Sequence, residues 1–138
     1  LGNSNLVDAD IRGADFSGAW ITAADLSNSL LAGSTLAGAT LARACMKETD
    51  LTGTFAVGTD FRSTILNGAT MRAANLSGAN FRGASLIDAD LSLADLVGAD
   101  LRGAQLDGAK LNGSRHDGTT RWPETFKPLT SGGIESHE

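Results

Sequence analysis

Apolar residues return at every fifth position of this chain, beginning at Leu1 and ending at Leu111. The stretch from Ala89 to Leu111, ADLSLADLVGADLRGAQLDGAKL, shows the pattern in its plainest form. The 23 positions of this frame hold 22 Leu, Ile, Phe or Met residues, and the exception is Ala56. Two residues before each centre, from Ala9 to Ala109, stands only Ala, Ser or Thr. The residue just before the centre is most often Asp or Asn, and the residue two after it is often Gly.

A period of five fits neither regular backbone. In an α-helix five residues advance about 140° past a full turn, so the leucines would scatter around the circumference. In a strand side chains alternate with period two, so an odd repeat would send successive leucines to opposite faces. A chain that turns once per pentad gathers every centre on the inside. Each pentad is then a short extended piece and a corner, with Gly, Asn, Asp and Ser at the corners. The coils stack at about the strand spacing of 4.8 Å. The small residue also points inward, where bulk would meet a neighbouring backbone.

The pentads ADLVG, ANLSG, ANFRG and ADLRG resemble those of the pentapeptide-repeat proteins. The likeness covers roughly residues 1–115. It implies an all-β fold, a right-handed quadrilateral parallel β-helix with four pentads per coil and about five to six coils. At the strand spacing the rod would be about 25–30 Å long. Face one then carries the centres Ile21, Leu41, Phe61, Phe81 and Leu101. Face two carries Leu26, Met46, Leu66, Leu86 and Leu106. Face three carries Leu31, Leu51, Met71, Leu91 and Leu111. Face four carries Phe16, Leu36, Ala56, Leu76 and Leu96. At Ala56 the standard frame is expected, with Phe55 and Val57 outward as an apolar patch. A local flip that buries one of them is the alternative, since a one-residue slip exchanges faces.

Two parts are expected: the repeat domain over 1–115, and a C-terminal cap and disordered tail over 116–138. His116 takes the next centre slot and ends the leucine column. Trp122 and Phe126 are expected to fold back over the last coil, because an open β-helix end exposes core and unpaired strand edges. The phrase TRWPETFKP resembles the C-terminal tails of cyanobacterial members. The N-terminal end shows no cap and offers a route to end-to-end self-association. Leu1 stands where a Met would open a full reading frame, so further sequence is expected upstream.

Charge narrows the function. The formal net charge is −5, which argues against a sequence-independent nucleic-acid binder. No apolar run approaches membrane-spanning length, so no membrane partner is expected. A cytoplasmic location is favoured, with thylakoid lumen and periplasm open.

Chemistry is hard to find. Asp10, Asp15, Asp25, Asp50, Asp60, Asp90, Asp95 and Asp100 all share one repeat position, so a hydrogen bond to a corner amide accounts for them better than acid–base work. His116 and His137 have no Cys or carboxylate cluster at ligand spacing, and Cys45 has no His near it in sequence. No phosphate-cradling glycine motif occurs. The expectation is a non-enzyme without cofactor or metal. The outward rows carry the candidate partner contacts. Arg62, Arg82 and Arg102 would stack on face one beside Asp60, Asn80 and Asp100, and Trp20, Phe55 and Val57 are outward apolar residues. The expected role is a rigid rod that binds another macromolecule, most simply a protein. The alternative is DNA mimicry toward gyrase, known among quinolone-resistance members of the family. The repeat region carries 12 acidic and 9 basic residues, and its frame has no inserted loop. Asp90, Asp95 and Asp100 would also fall on three different faces, which argues against one acidic stripe.

Overall fold

The computed structural model describes residues 1–128. The expected tail disorder and His137 lie outside the described residues. The chain turns at every pentad. At each corner the small residue donates its N–H to the carbonyl of the preceding centre, as in Ala9 to Leu6 at 3.1 Å and Ala104 to Leu101 at 3.0 Å. The third residue of this four-residue turn has positive φ, the mark of a type II turn. All 23 corners from Asn3 to Gly113 share it, with φ between 57° and 74°. Thirteen of these residues are Gly and ten are not.

Between corners the extended piece shrinks to one bridging residue. Each pairs in parallel with the residue twenty positions on, from Asn5 with Asp25 to Asp95 with Arg115. Twenty residues per coil and five per corner make a quadrilateral parallel β-helix, with no helix among the described residues. The pentad around Leu76 shows how the backbone is satisfied. Ala74 closes the turn on Met71 at 3.2 Å. Asn75 donates back one coil to Thr54 at 2.9 Å. Leu76 and Gly78 donate forward to Asp95 and Val97, both at 2.9 Å. The fifth N–H, of Ser77, goes to the side chain of Asn75 at 3.1 Å. Every donor of the unit is thereby paired, as a buried backbone requires.

This geometry sends two columns inward per face. The centres from Ile21 to Leu101 are at most 1 % exposed, Leu76, Leu96, Phe61, Phe81 and Leu101 among them. The small residues Ala24, Ala39, Ala69 and Ala79 are equally buried. Because coils repeat in register, like side chains stack: the Phe61 and Phe81 rings lie 4.8 Å apart and 5° from parallel. Of the threonines at 49, 54, 59 and 64, which fill the small slots of one coil, three donate to backbone carbonyls: Thr49 to Leu26 at 2.9 Å, Thr59 to Leu36 at 2.7 Å and Thr64 to Phe61 at 2.7 Å. Ala56 keeps the standard frame. It is fully buried, Phe55 is 48 % exposed, and Val57 is half-buried. The ladder bonds of Phe55 to Ser34 and of Ala56 to Asn75 are intact on both sides, so a flip would have to break them.

The ends differ. In the first coil Leu6, Ile11 and Phe16 are half-buried and Leu1 is exposed. At the other end one extra residue enters after Arg115. Arg121 then resumes the ladder against Asp100, twenty-one positions away instead of twenty. Thr120 takes over the small inward slot, its hydroxyl bonded to the Leu96 carbonyl at 2.9 Å. His116 is buried in the centre slot and meets Trp122 edge-on at 5.0 Å. Trp122 in turn packs on Phe126 at 5.1 Å, and both rest against the core.

Two tests follow from the frame. Leu76→Asp should be severely destabilising, because it puts an unpaired charge among packed leucines. Ser77→Asp, one place along on the outer wall, should change the melting temperature little, and equal losses in the two melts would reject the frame. Ala73 sits exposed at a corner with φ 57°, a conformation that costs an L-residue about 1 kcal/mol or more. Ala73→Gly is therefore expected to raise stability by up to about 1 kcal/mol in urea melts, after the entropy lost by glycine. Gly78→Ala, at φ 65° with open space around the new methyl, should lose a similar amount.

Candidate functional site

The outer walls are built from three positions per pentad: the bridging residue, the residue after the centre, and the corner. On face one, residues after the centre run Thr22, Ala42, Arg62, Arg82 and Arg102, and bridging residues run Trp20, Thr40, Asp60, Asn80, Asp100 and Arg121. The wall brings Arg62, Arg82 and Arg102 into one row, as the repeat implied.

The local geometry of the row is a side-chain fork within one pentad. Asp60 Oδ1 accepts the Arg62 backbone N–H at 3.0 Å and its Nε–H at 2.9 Å, and Oδ2 accepts Nη2 at 2.7 Å. Asp100 holds Arg102 the same way, at 3.1, 2.9 and 2.6 Å. Arg82 is different. Asn80 caps its amide at 3.1 Å but carries no charge, so the guanidinium leans to Asp100 of the next coil at 4.0 Å. The three guanidiniums are about half exposed.

The aspartates therefore serve the corner amide as expected. The same bond occurs at Asp15 to Ser17, Asp50 to Thr52, Asp90 to Ser92 and Asp95 to Val97. Hydrogen bonding from Arg62 holds the Asp60 carboxyl below its ordinary value, against the opposing effect of burial. Arg102 does the same for Asp100, and Ser27 for Asp25.

Three ion pairs off face one escaped the sequence reading: Arg12 with Asp10 at 2.6 Å, Arg72 with Asp90 at 3.6 Å and Arg115 with Asp95 at 2.8 Å. The Asp-x-Arg spacing at residues 10–12 signals the first. The other two cross between coils and need the twenty-residue period. Face one also collects Arg43 at a corner and Arg121 after the one-residue insertion. Its pentads thus hold five arginines against three acidic residues, Asp60, Asp100 and Glu124. Face two is the opposite: Asp8, Asp25, Glu48, Asp88 and Asp107 against Lys47.

The outward apolar residues do not cluster. Trp20 is 78 % exposed on face one, whereas Phe55 and Val57 lie on face four. Ile65 stands on face two and Leu30 on face three. Cys45 is half-buried beside the Ser27 hydroxyl at 3.2 Å. Among the described residues no group of three or more His, Cys, Asp or Glu could hold a metal ion. Among them, also, no helix is long and apolar enough to cross a membrane. A shallow cleft on face three is lined by Arg72, Asp90, Leu93 and Lys110, and another under the tail by Leu106, Pro123 and Phe126.

Comparison with known proteins matches a family model described as pentapeptide repeats, in overlapping stretches from residue 1 to residue 113. Among solved structures, a pentapeptide repeat protein (Rfr23) from the cyanobacterium Cyanothece 51142 is 30 % identical, over 87 % of this chain and 88 % of that one, with a TM-score of 0.37. A pentapeptide repeat protein from the Arabidopsis thaliana thylakoid lumen is 28 % identical over 76 % and 63 %, with a TM-score of 0.37. QnrB1, a plasmid-mediated fluoroquinolone resistance protein, is 25 % identical over 86 % and 74 %, with a TM-score of 0.47. No curated protein matches the chain.

The lowered carboxyls predict acid sensitivity with a definite sign. Asp25, Asp60 and Asp100 are held below the unfolded value of 3.8, so the folded state resists protonation. Their stabilisation is complete above that value and is lost as pH falls through the lowered ones. Melting temperature should be flat from pH 7 to about 5 and fall below about 4. Asp60→Asn with Asp100→Asn keeps the corner acceptors, as Asn80 shows, and should flatten that fall. An unchanged acid profile in the double variant would remove these carboxylates from the account.

Proposed function

The chain belongs to the pentapeptide-repeat family, whose fold is a right-handed quadrilateral β-helix, and from that premise we propose that it is a non-enzymatic interaction rod whose face one binds an acidic protein. One observation carries the reading. A chain of net charge −5 concentrates five arginines against three acidic residues on a single wall. Complementary fields of this kind steer partners and set register more than they add raw affinity. The core does not require these arginines, since the same outward slots hold Thr22 and Ala42 higher on the wall. Repeat solenoids present extended surfaces in this way. The segment from His116 to Phe126 serves to close the rod end, which leaves the walls as the working surface.

A second reading, DNA mimicry toward gyrase, draws on the five acidic residues of face two. Its bridging row holds Cys45, Ile65 and Ser85 at mid-rod, which breaks a continuous anionic line. A supercoiling assay separates the two: protection of gyrase from a quinolone at micromolar protein would favour mimicry.

The test of the main reading is affinity purification from source cells with the wild-type chain and with the triple variant R62Q/R82Q/R102Q. The variant should melt within a few degrees of wild type, since exposed ion pairs add little. It should lose an acidic protein that wild type retains at low salt and releases at high salt. An identical set of retained proteins for both chains would sink the assignment.

A further inference from the structure

Face one is organised in levels one coil apart, at about 4.8 Å per level. In the first two levels the bridging residue and the residue after the centre are uncharged, and Arg43 stands at the corner of the second. Trp20 projects with 78 % of its surface exposed, above the half-buried Thr22 and Thr40 and the nearly buried Ala42. The next three levels hold Arg62, Arg82 and Arg102, and Arg121 follows them. Trp and Arg are the residue types that most often dominate binding energy at interfaces. Here they share one wall, with the small residues Thr40 and Ala42 between them and Arg43 at the corner.

Resting on the reading of face one as the binding wall, we propose that the bound element is an amphipathic acidic α-helix lying parallel to the rod axis. Its carboxylates face Arg62, Arg82 and Arg102 on successive turns, and an apolar side chain covers Trp20. The pitch decides for a helix. Relative to the first arginine, the other two lie at about 4.8 and 9.6 Å along the rod. Helix positions i, i+3 and i+7 rise by about 4.5 and 10.5 Å, within an ångström of the row. An extended strand offers one face every second residue, at about 6.8 and 13.6 Å, and misses the third arginine by about 4 Å. From Trp20 to Arg102 is four levels, about 19 Å. A helix of about 13 residues spans that distance.

Charge complementarity sets the chemistry of the partner. Arg62 and Arg102 are each forked onto an aspartate of their own coil, whereas Arg82 stands on Asn80 and has its nearest carboxylate oxygen at 4.0 Å. The centre of the row therefore holds the least neutralised charge, and Arg82 should contribute most. Nucleic acid fits less well. Asp60 and Asp100 interrupt the cationic row, and the adjoining face two carries five acidic residues.

The experiment uses the full chain and two labelled 18-residue peptides of identical composition. One places Glu at i, i+3 and i+7 with Leu near one end. The other places Glu at i, i+2 and i+4. A duplex oligonucleotide of similar length is the third probe. Fluorescence anisotropy at low salt should show the helix-register peptide binding at least about tenfold tighter than its isomer. R82Q should weaken it by about tenfold and W20S by a similar factor. The bound peptide should gain helical circular dichroism, and the variants should melt as wild type does. Equal affinity of the two peptides, both lost in R62Q/R82Q/R102Q, overturns the helix and leaves the acidic-partner reading standing. Peptide binding untouched by that triple variant, or absent at millimolar concentration, overturns both. A duplex that binds tighter than either peptide and depends on the same arginines overturns both in favour of nucleic acid.

Discussion

The structure depends on a reversed backbone angle at every fifth residue. Positive φ at the third turn position closes a four-residue corner, and 23 such corners in one frame bend the chain into square coils. Ten of them are filled by residues with a side chain, Arg43, Glu48 and Leu93 among them. Those residues carry local strain that glycine would not. The strain is tolerated because each inner corner is held on both sides by ladder bonds to neighbouring coils, three backbone donors per pentad, beside the one that closes the turn. A single relaxed corner would break the register of a whole coil.

The fifth donor explains the aspartates. The ladder leaves over the amide just after the centre, and where Asp or Asn stands two residues earlier its side chain supplies the acceptor. The same carboxylate has a second oxygen facing outward. Where arginine follows at the right spacing, that oxygen takes the guanidinium, as in Asp60 with Arg62. A backbone requirement and a surface charge pattern are thus met by one side chain. Exchange for Asn at position 80 keeps the corner and frees the arginine beside it, so the wall can be retuned without touching the fold.

Division of labour between columns follows from this. Centre and small positions are confined by packing, since like residues stack directly at the coil spacing, as the two phenylalanine rings show. The outward positions meet water and are constrained mainly by the corner bond. Variation gathers there, and consecutive coils turn it into vertical rows. On the proposed reading, a wall of this kind would recognise by row and pitch instead of by a pocket.

The sequence alone determined the period, the inward columns and the role of the aspartates, because each repeats in a single frame and five residues match no other regular backbone. It also pointed to Arg62, Arg82 and Arg102 as one row, once four pentads per coil were assumed from the family. It left the coil at Ala56 open between two frames. The tertiary structure decided for the standard one, since the ladder bonds at Phe55 and Ala56 hold both neighbours. Only the structure brought Arg121 onto face one, because the extra residue before it shifts the pairing to twenty-one. Only the structure separated Arg82 from its neighbours. Whether an arginine forks onto its own coil or leans to the next depends on distances between coils, which linear spacing does not contain.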